Sequence, residues 1–269
     1  MITAVMSDNG NVAKSTYANF IAFPRLQNNP EVIYCESGNS IPGKISATAH
    51  GPCKEFSATP EDFADMIEYL LTNAVDHDIL VDFGSTDSET MRSLFIECVG
   101  SVRAFDLFII PTSPDVKQLD TLKTIKFLEL QGVPAERIRL VFTIFPAGKK
   151  LERVFAEIFE AHAAHPNFVL DRTAVLYKTL LFDRLAGSGY TVEDMLADKT
   201  DWRQKIIEAH PNRDSTEVQE QIKFYTWMNI NRGYATSLMQ DFENVFKSTT
   251  APLSPSAKKG AAKKEIENA

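Results

Sequence analysis

Lys14-Ser15-Thr16 follows directly on Asp8-Asn9-Gly10-Asn11-Val12-Ala13. A segment of this composition, set between a strand and a helix, suits the chemistry of anions. Successive backbone N–H groups and the positive end of the following helix then converge on one point. Lys14 would neutralise the outer phosphates of a nucleotide, and the Ser15 hydroxyl would join a Mg²⁺ shell. Gly10, Asn11, Val12, Ala13 and Thr16 would complete the cradle. The usual pattern has glycine at the positions of Asp8 and Ala13, and both are absent. On the motif alone, a solvated Lys-Ser-Thr helix start therefore remains an open alternative.

Two further acids stand where such a loop needs them. Asp82, in Ile79-Leu80-Val81-Asp82-Phe83-Gly84, ends an apolar run; its carboxylate can hold a Mg²⁺-bound water, and Gly84 gives backbone freedom for a switch that senses the terminal phosphate. The plain alternative is a strand-terminal Asp in a turn. Glu36 ends another run, Val32–Glu36. Ligands of open α/β sheets collect at that edge. Lys14, Glu36 and Asp82 are the candidate catalytic groups, Ser15 and Asp82 the candidate metal ligands, and ATP or ADP with Mg²⁺ the expected cofactor. His162 and His165 lie three apart with no evident third ligand, so a metal site there is disfavoured. Cys35, Cys53 and Cys98, an odd number without close spacing, read as reduced thiols of a cytoplasmic protein.

The elements that would position these groups follow from periodicity. Ile2–Met6, Val32–Glu36, Ile79–Asp82, Leu107–Ile110 and Ile138–Phe145 read as buried strands. Between them, Thr59-Pro60-Glu61-Asp62 starts a helix with Phe63, Met66, Ile67, Leu70 and Leu71 at helical spacing. A second helix follows Pro114-Asp115, and a third spans about 149–162. The expected fold is α/β: a doubly wound, mostly parallel sheet of the P-loop NTPase type, with helices on both faces and a helical C-terminal region. Residues 1–170 form the nucleotide-binding core. Strands stop after Phe168-Val169-Leu170, 171–247 pack on the core as helices, and 248–269 form a disordered Lys-rich tail.

With those residues in view, the chain resembles the ParA/MinD branch of P-loop ATPases, and within it is similar to the StbB plasmid-stability proteins. The likeness runs over most of 1–203. Besides Gly10–Thr16 it rests on Ala22-Phe23-Pro24-Arg25-Leu26, Glu36-Ser37, Val81-Asp82-Phe83-Gly84, Ile110-Pro111-Thr112-Ser113-Pro114 with Lys117-Gln118, and Gly132-Val133-Pro134-Ala135-Glu136-Arg137-Ile138-Arg139. The resemblance implies an ATPase of plasmid stability, partition or DNA positioning. It also implies a nucleotide-dependent homodimer, a plasmid-encoded DNA-binding partner and a nucleoid-associated place in the cytoplasm. Departures bear on turnover. The family's cross-dimer lysine is Asn9 here, its loop glycine is Ala13, its second acid on the second strand is Gly38, and its adenine-reading Asn is Thr143. Nucleotide binding is thus the firmer expectation and slow hydrolysis the corollary.

Composition limits the alternatives. The chain has 269 residues, 44% of them hydrophobic, and a formal charge of -8. An acidic body does not wrap DNA by charge. The tail from Ser248 opposes Lys258, Lys259, Lys263 and Lys264 to two glutamates. It reads either as a solvated end or as a weak, non-specific contact with DNA or an anionic surface. No segment suits stable membrane insertion, and no leader peptide is evident. Two other functions remain: a small-molecule kinase or ligase using Arg139, Arg172 or Arg184 on phosphates, and a nucleotide-binding scaffold without turnover.

Overall fold

The computed structural model describes residues 1–8, 10–36, 53–84, 88–114 and 117–251, with the Glu36 and Ser88 side chains excepted. Strand β1 (Ile2–Val5) leads through the loop into α1 (Lys14–Thr16), which continues as a π-helix over Tyr17–Ala22 and a 3₁₀ turn over Phe23–Arg25. Then come β2 (Glu31–Glu36), β3 (Cys53–Ser57), α2 (Pro60–Asn73), β4 (Ile79–Phe83), α3 (Ser88–Glu97), β5 (Leu107–Thr112) and α4 (Lys117–Leu130). After β6 (Ile138–Phe145) follow α5 (Leu151–Val154), α6 (Ala156–Ala164), β7 (Val175–Tyr177) and α7 (Leu181–Leu185). The chain closes with α8 (Val192–Ala197), α9 (Trp202–Ala209) and α10 (Thr216–Thr250).

Local chemistry accounts for the helix starts. Thr59 caps α2, its hydroxyl accepting from the Asp62 amide at 3.2 Å, and Pro60 occupies the first turn where no N–H is needed. Thr191 and Asp194 form a reciprocal capping box on α8. The helix expected over 149–162 breaks at Phe155, where φ is -116° and ψ 40°, giving α5 and α6.

All seven strands are parallel, in the order β3-β2-β4-β1-β5-β6-β7. Alternate strand residues serve opposite faces. Ile2, Ala4, Ile33, Val81, Phe108 and Leu140 pack with Phe63, Met66, Phe95, Ile125 and Phe155 from α2, α3, α4 and the α5–α6 break. Val5, Val32, Leu80, Ile109 and Val141 pack with Tyr17, Ile21, Leu181, Met195, Phe242 and Val245 from the π-helical extension of α1 and the C-terminal helices. The C-terminal region therefore completes one face of the sheet.

Several expectations need correction. Strands do not stop at Leu170: Val169 bridges Arg139, and β7 pairs with β6 from Val175 onward. β7 is only three residues long, too short to show alternation. β3 also went unseen, because Cys53, Lys54 and Glu55 are exposed on the sheet edge and carry no apolar pattern. Leu71, expected on the buried stripe of α2, is 61% exposed. Residues 248–250, expected in the tail, belong to α10, and Arg139 binds the Ser248 and Ala251 carbonyls. The lysines of the tail lie outside the described residues. No helix among the described residues is long and apolar enough to cross a membrane.

Candidate functional site

β1 is buried between β4 and β5, so the chain leaves the sheet at its centre. The Met6 amide still donates to Ile109 O at 3.1 Å. The loop then turns sharply. Asn11 and Ala13 adopt left-handed conformations, with φ of 56° and 62°. For alanine this conformation costs roughly 1–2 kcal/mol, which glycine would not incur. Ala13 is also the residue before α1, and its carbonyl accepts the Tyr17 amide at 2.9 Å.

Side chains from distant elements hold this conformation. Lys117 Nζ donates to the Gly10 and Asn11 carbonyls, 3.2 Å each. The Thr143 hydroxyl reaches the carbonyls of Val12 at 3.1 Å and Thr112 at 2.8 Å. The Asp8 amide donates to Thr124 Oγ1 at 3.2 Å, and the Asp8 carboxylate pairs with Arg92 of α3. Three successive carbonyls are thus bound on their outer side. In a trans peptide C=O and N–H point in opposite directions. The amides of Asn11, Val12 and Ala13 are therefore turned away from the groups that hold the preceding carbonyls. That is the arrangement of an anion-binding nest at a helix start.

Asn11, Val12, Ala13, Lys14, Ser15 and Thr16 together line a cavity of about 430 Å³. Ile144, Leu176 and Phe182 supply its apolar wall, and Tyr177, Lys178, Thr179 and Asp183 its polar rim. Ile144 enters through an irregularity in the β6–β7 pairing, with φ 53°. Left-handed backbone at a β-branched residue is strained and is found where a site demands it.

Most of the expected loop residues are therefore in one place. Ser15 is exposed to the cavity, whereas Lys14 is 6% exposed, unlike the residue of a solvated helix start. Gly10 stands beside these residues, held by Lys117. Asp82 pairs in register with Val5, directly before the loop, and strand alternation puts its side chain on the α1 face. It is 3% exposed and does not line the cavity. Glu36 ends β2, and the Glu36 carboxylate, Asn9 and Gly38 lie outside the described residues.

Other candidates are engaged elsewhere. The Thr143 hydroxyl is fully buried beneath the loop and so holds the backbone where the resemblance implied a base-reading residue. Arg139 caps the end of α10, Arg172 pairs with Glu152 at 2.7 Å, and Arg184 Nε donates to Asn231 Oδ1 at 2.7 Å. None of the three lines the cavity. His162 binds the Phe168 carbonyl and His165 pairs with Glu129, and no cluster of three or more His, Cys, Asp or Glu placed to hold a metal occurs among the described residues. Lys117, Ile144, Lys178 and Asp183 are cavity or loop residues that periodicity did not single out. Lys117 opens α4 after β5, and in the sequence it stood out only within the Lys117-Gln118 pair of the resemblance.

Fold and loop define an α/β protein of the P-loop NTPase type. No protein-family model and no curated protein matches the chain. Among solved structures, it is similar to the MinC:MinD cell division protein complex of Aquifex aeolicus, with 13% identity over 72% of this chain and 88% of that one, TM-score 0.47. It is similar to a Cyanothece McdA–ATP complex, with 12% identity over 72% and 89%, TM-score 0.42. A plasmid partition protein from Borrelia burgdorferi shows 16% identity over 65% and 89%, TM-score 0.43. At these values the chemistry of the site rests on its own residues.

Proposed function

We propose that this chain binds ATP or ADP with Mg²⁺ through Gly10–Thr16, hydrolyses ATP slowly, and serves plasmid stability, partition or DNA positioning beside a plasmid-encoded DNA-binding partner. One observation supports the nucleotide reading above the rest. The carbonyls of Gly10, Asn11 and Val12 are bound from outside by Lys117 and Thr143, at the mouth of a helix and next to a cavity. A solvated cap would need no such bracing. The finer reading follows the resemblance to ParA/MinD proteins. The kinase alternative loses ground, because its three arginines are committed elsewhere.

In this reading Lys14 and the helix start hold the outer phosphates, while Ser15 and Asp82 complete the Mg²⁺ shell, Asp82 through water. Turnover lies well below the ~10 s⁻¹ typical of enzymes, since Asn9, Ala13 and Gly38 replace groups that serve hydrolysis in the family. A nucleotide-dependent homodimer and weak non-specific DNA contact by the lysine tail belong to the same proposal.

Titration calorimetry with ATP, with and without Mg²⁺, is the test. Wild type binds, and Lys14→Ala abolishes binding while keeping a cooperative thermal transition. Ser15→Ala and Asp82→Ala each weaken the Mg²⁺-dependent part by about 10- to 100-fold. Equal ATP affinity in wild type and Lys14→Ala would rule the loop out as the site. Turnover near the enzyme median without partner or DNA would rule out the slow-hydrolysis reading.

A further inference from the structure

The face of α4 turned toward the loop is unusual for a helix packed on a sheet. Lys117, Thr121 and Thr124 fall at positions i, i+4 and i+7, the stripe that is ordinarily apolar. Thr121 and Thr124 are fully buried, and neighbouring Gln118 is 5% exposed. Each side chain has a defined task. Thr121 Oγ1 donates to Thr112 Oγ1 at 2.9 Å and fixes the helix to the end of β5. Thr124 receives the Asp8 amide, and Gln118 donates to the Val154 carbonyl at 3.0 Å. Lys117 stands at the head of this stripe, 3.2 Å from two loop carbonyls.

We propose that Lys117 is a positioning residue of the phosphate loop, a cation delivered from α4 that shapes and polarises the amides meant for the outer phosphates. The proposal rests on the nucleotide reading above. A neutral donor would suffice to brace a loop. An ammonium shared between the Gly10 and Asn11 carbonyls does more. It polarises both peptide groups, which strengthens the Asn11 and Val12 N–H groups as donors on the opposite side. It also places a full positive charge behind the cradle without occupying it, so the charge favours a polyphosphate over a monophosphate. Thr121 and Thr124 keep α4 in the register that brings this ammonium to the loop.

The test measures affinity for ATP, ADP and AMP, each with Mg²⁺, on wild type, Lys117→Arg, Lys117→Gln and Lys117→Met. Loss of charge-assisted hydrogen bonds of this kind weakens binding by about tenfold or more. The expected result is such a loss for ATP and ADP in Lys117→Met and Lys117→Gln, a much smaller loss for AMP, and near wild-type binding in Lys117→Arg. If wild type binds ATP and Lys117→Met binds it equally well, the proposal is overturned. Equal weakening of ATP and AMP overturns it too, because it would mark a brace with no bias for phosphate. Should Lys117→Met fail to fold, the Arg and Gln variants decide, equal ATP affinity in the two being the contrary result. Wild type that binds no nucleotide refutes the nucleotide reading itself, an outcome separate from these.

Discussion

Ala13 shows how a motif can persist without its glycine. The left-handed backbone is retained at φ 62°, and Lys117 and Thr143 hold the loop against the strain. Ala13→Gly relieves roughly 1–2 kcal/mol of native strain and gives back about 0.4–1 kcal/mol in unfolded-chain entropy. The variant is expected to be more stable by about 0.5–1 kcal/mol in urea unfolding, with an unchanged slope. A less stable variant would mean that the Ala13 methyl group is packed and not strained. At this scale the sequence was informative for groups adjacent in the chain. Lys14, Ser15 and Thr16 line one cavity. The burial of Lys14 was not legible, since nothing local in the sequence reports how far a side chain is covered. Nor was Lys117, which acts on carbonyls 106 and 107 positions away.

Secondary-structure elements were legible in proportion to their apolar periodicity. The five strands expected are all present, and α2 starts at its Thr-Pro signal. Edge strands β3 and β7 lack that periodicity, one because it is exposed and the other because it is three residues long. The end of α4 illustrates a polar contact that no pattern reveals. Glu129 accepts from His165 at 2.7 Å, Lys126 at 2.9 Å and Asn167 at 3.1 Å, which lowers its pKa from 4.5 to about 2, the His165 bond contributing most. A carboxyl depressed in the folded state stabilises it above the unfolded pKa and loses that effect as pH falls through the folded one. Wild type should therefore be more stable than Glu129→Gln at pH 7, with the difference shrinking between pH 4.5 and 2. Urea midpoints for both proteins across that range test it, and a constant difference would speak against the assignment.

The two faces of the sheet share their strands, so the C-terminal helices and the α/β core should unfold together. Phe242 of α10 is 2% exposed, contacts Phe182 at 5.6 Å and lies beneath Arg25, which also binds Glu243 at 2.7 Å. Phe242→Ala is expected to cost about 3–5 kcal/mol. Trp202 and Trp227, the two tryptophans, both lie in the C-terminal region, whereas far-ultraviolet circular dichroism reports the whole chain. The two signals should shift together in this variant. An early tryptophan transition on its own would show that the helices form a separate cooperative unit. The expectation of helices packed on a sheet was readable from composition. Their role in covering one face was not, because α10 meets the π-helical extension of α1 across more than 200 residues, as in the 2.8 Å contact of Tyr17 with Thr249.

During synthesis, the Gly10–Thr16 loop is made long before the residues that finish it. β1 has no neighbour until Ile79 and Leu107 have been synthesised, since it pairs with β4 and β5 and not with β2. The carbonyls of Gly10 and Asn11 then wait for Lys117, that of Val12 waits for Thr143, and Tyr17 waits for Thr249. Such long-range pairing is slow and leaves apolar strands uncovered while the chain grows. A nascent chain stalled before residue 143 carries every residue of the Lys-Ser-Thr motif and still cannot keep its amides in place.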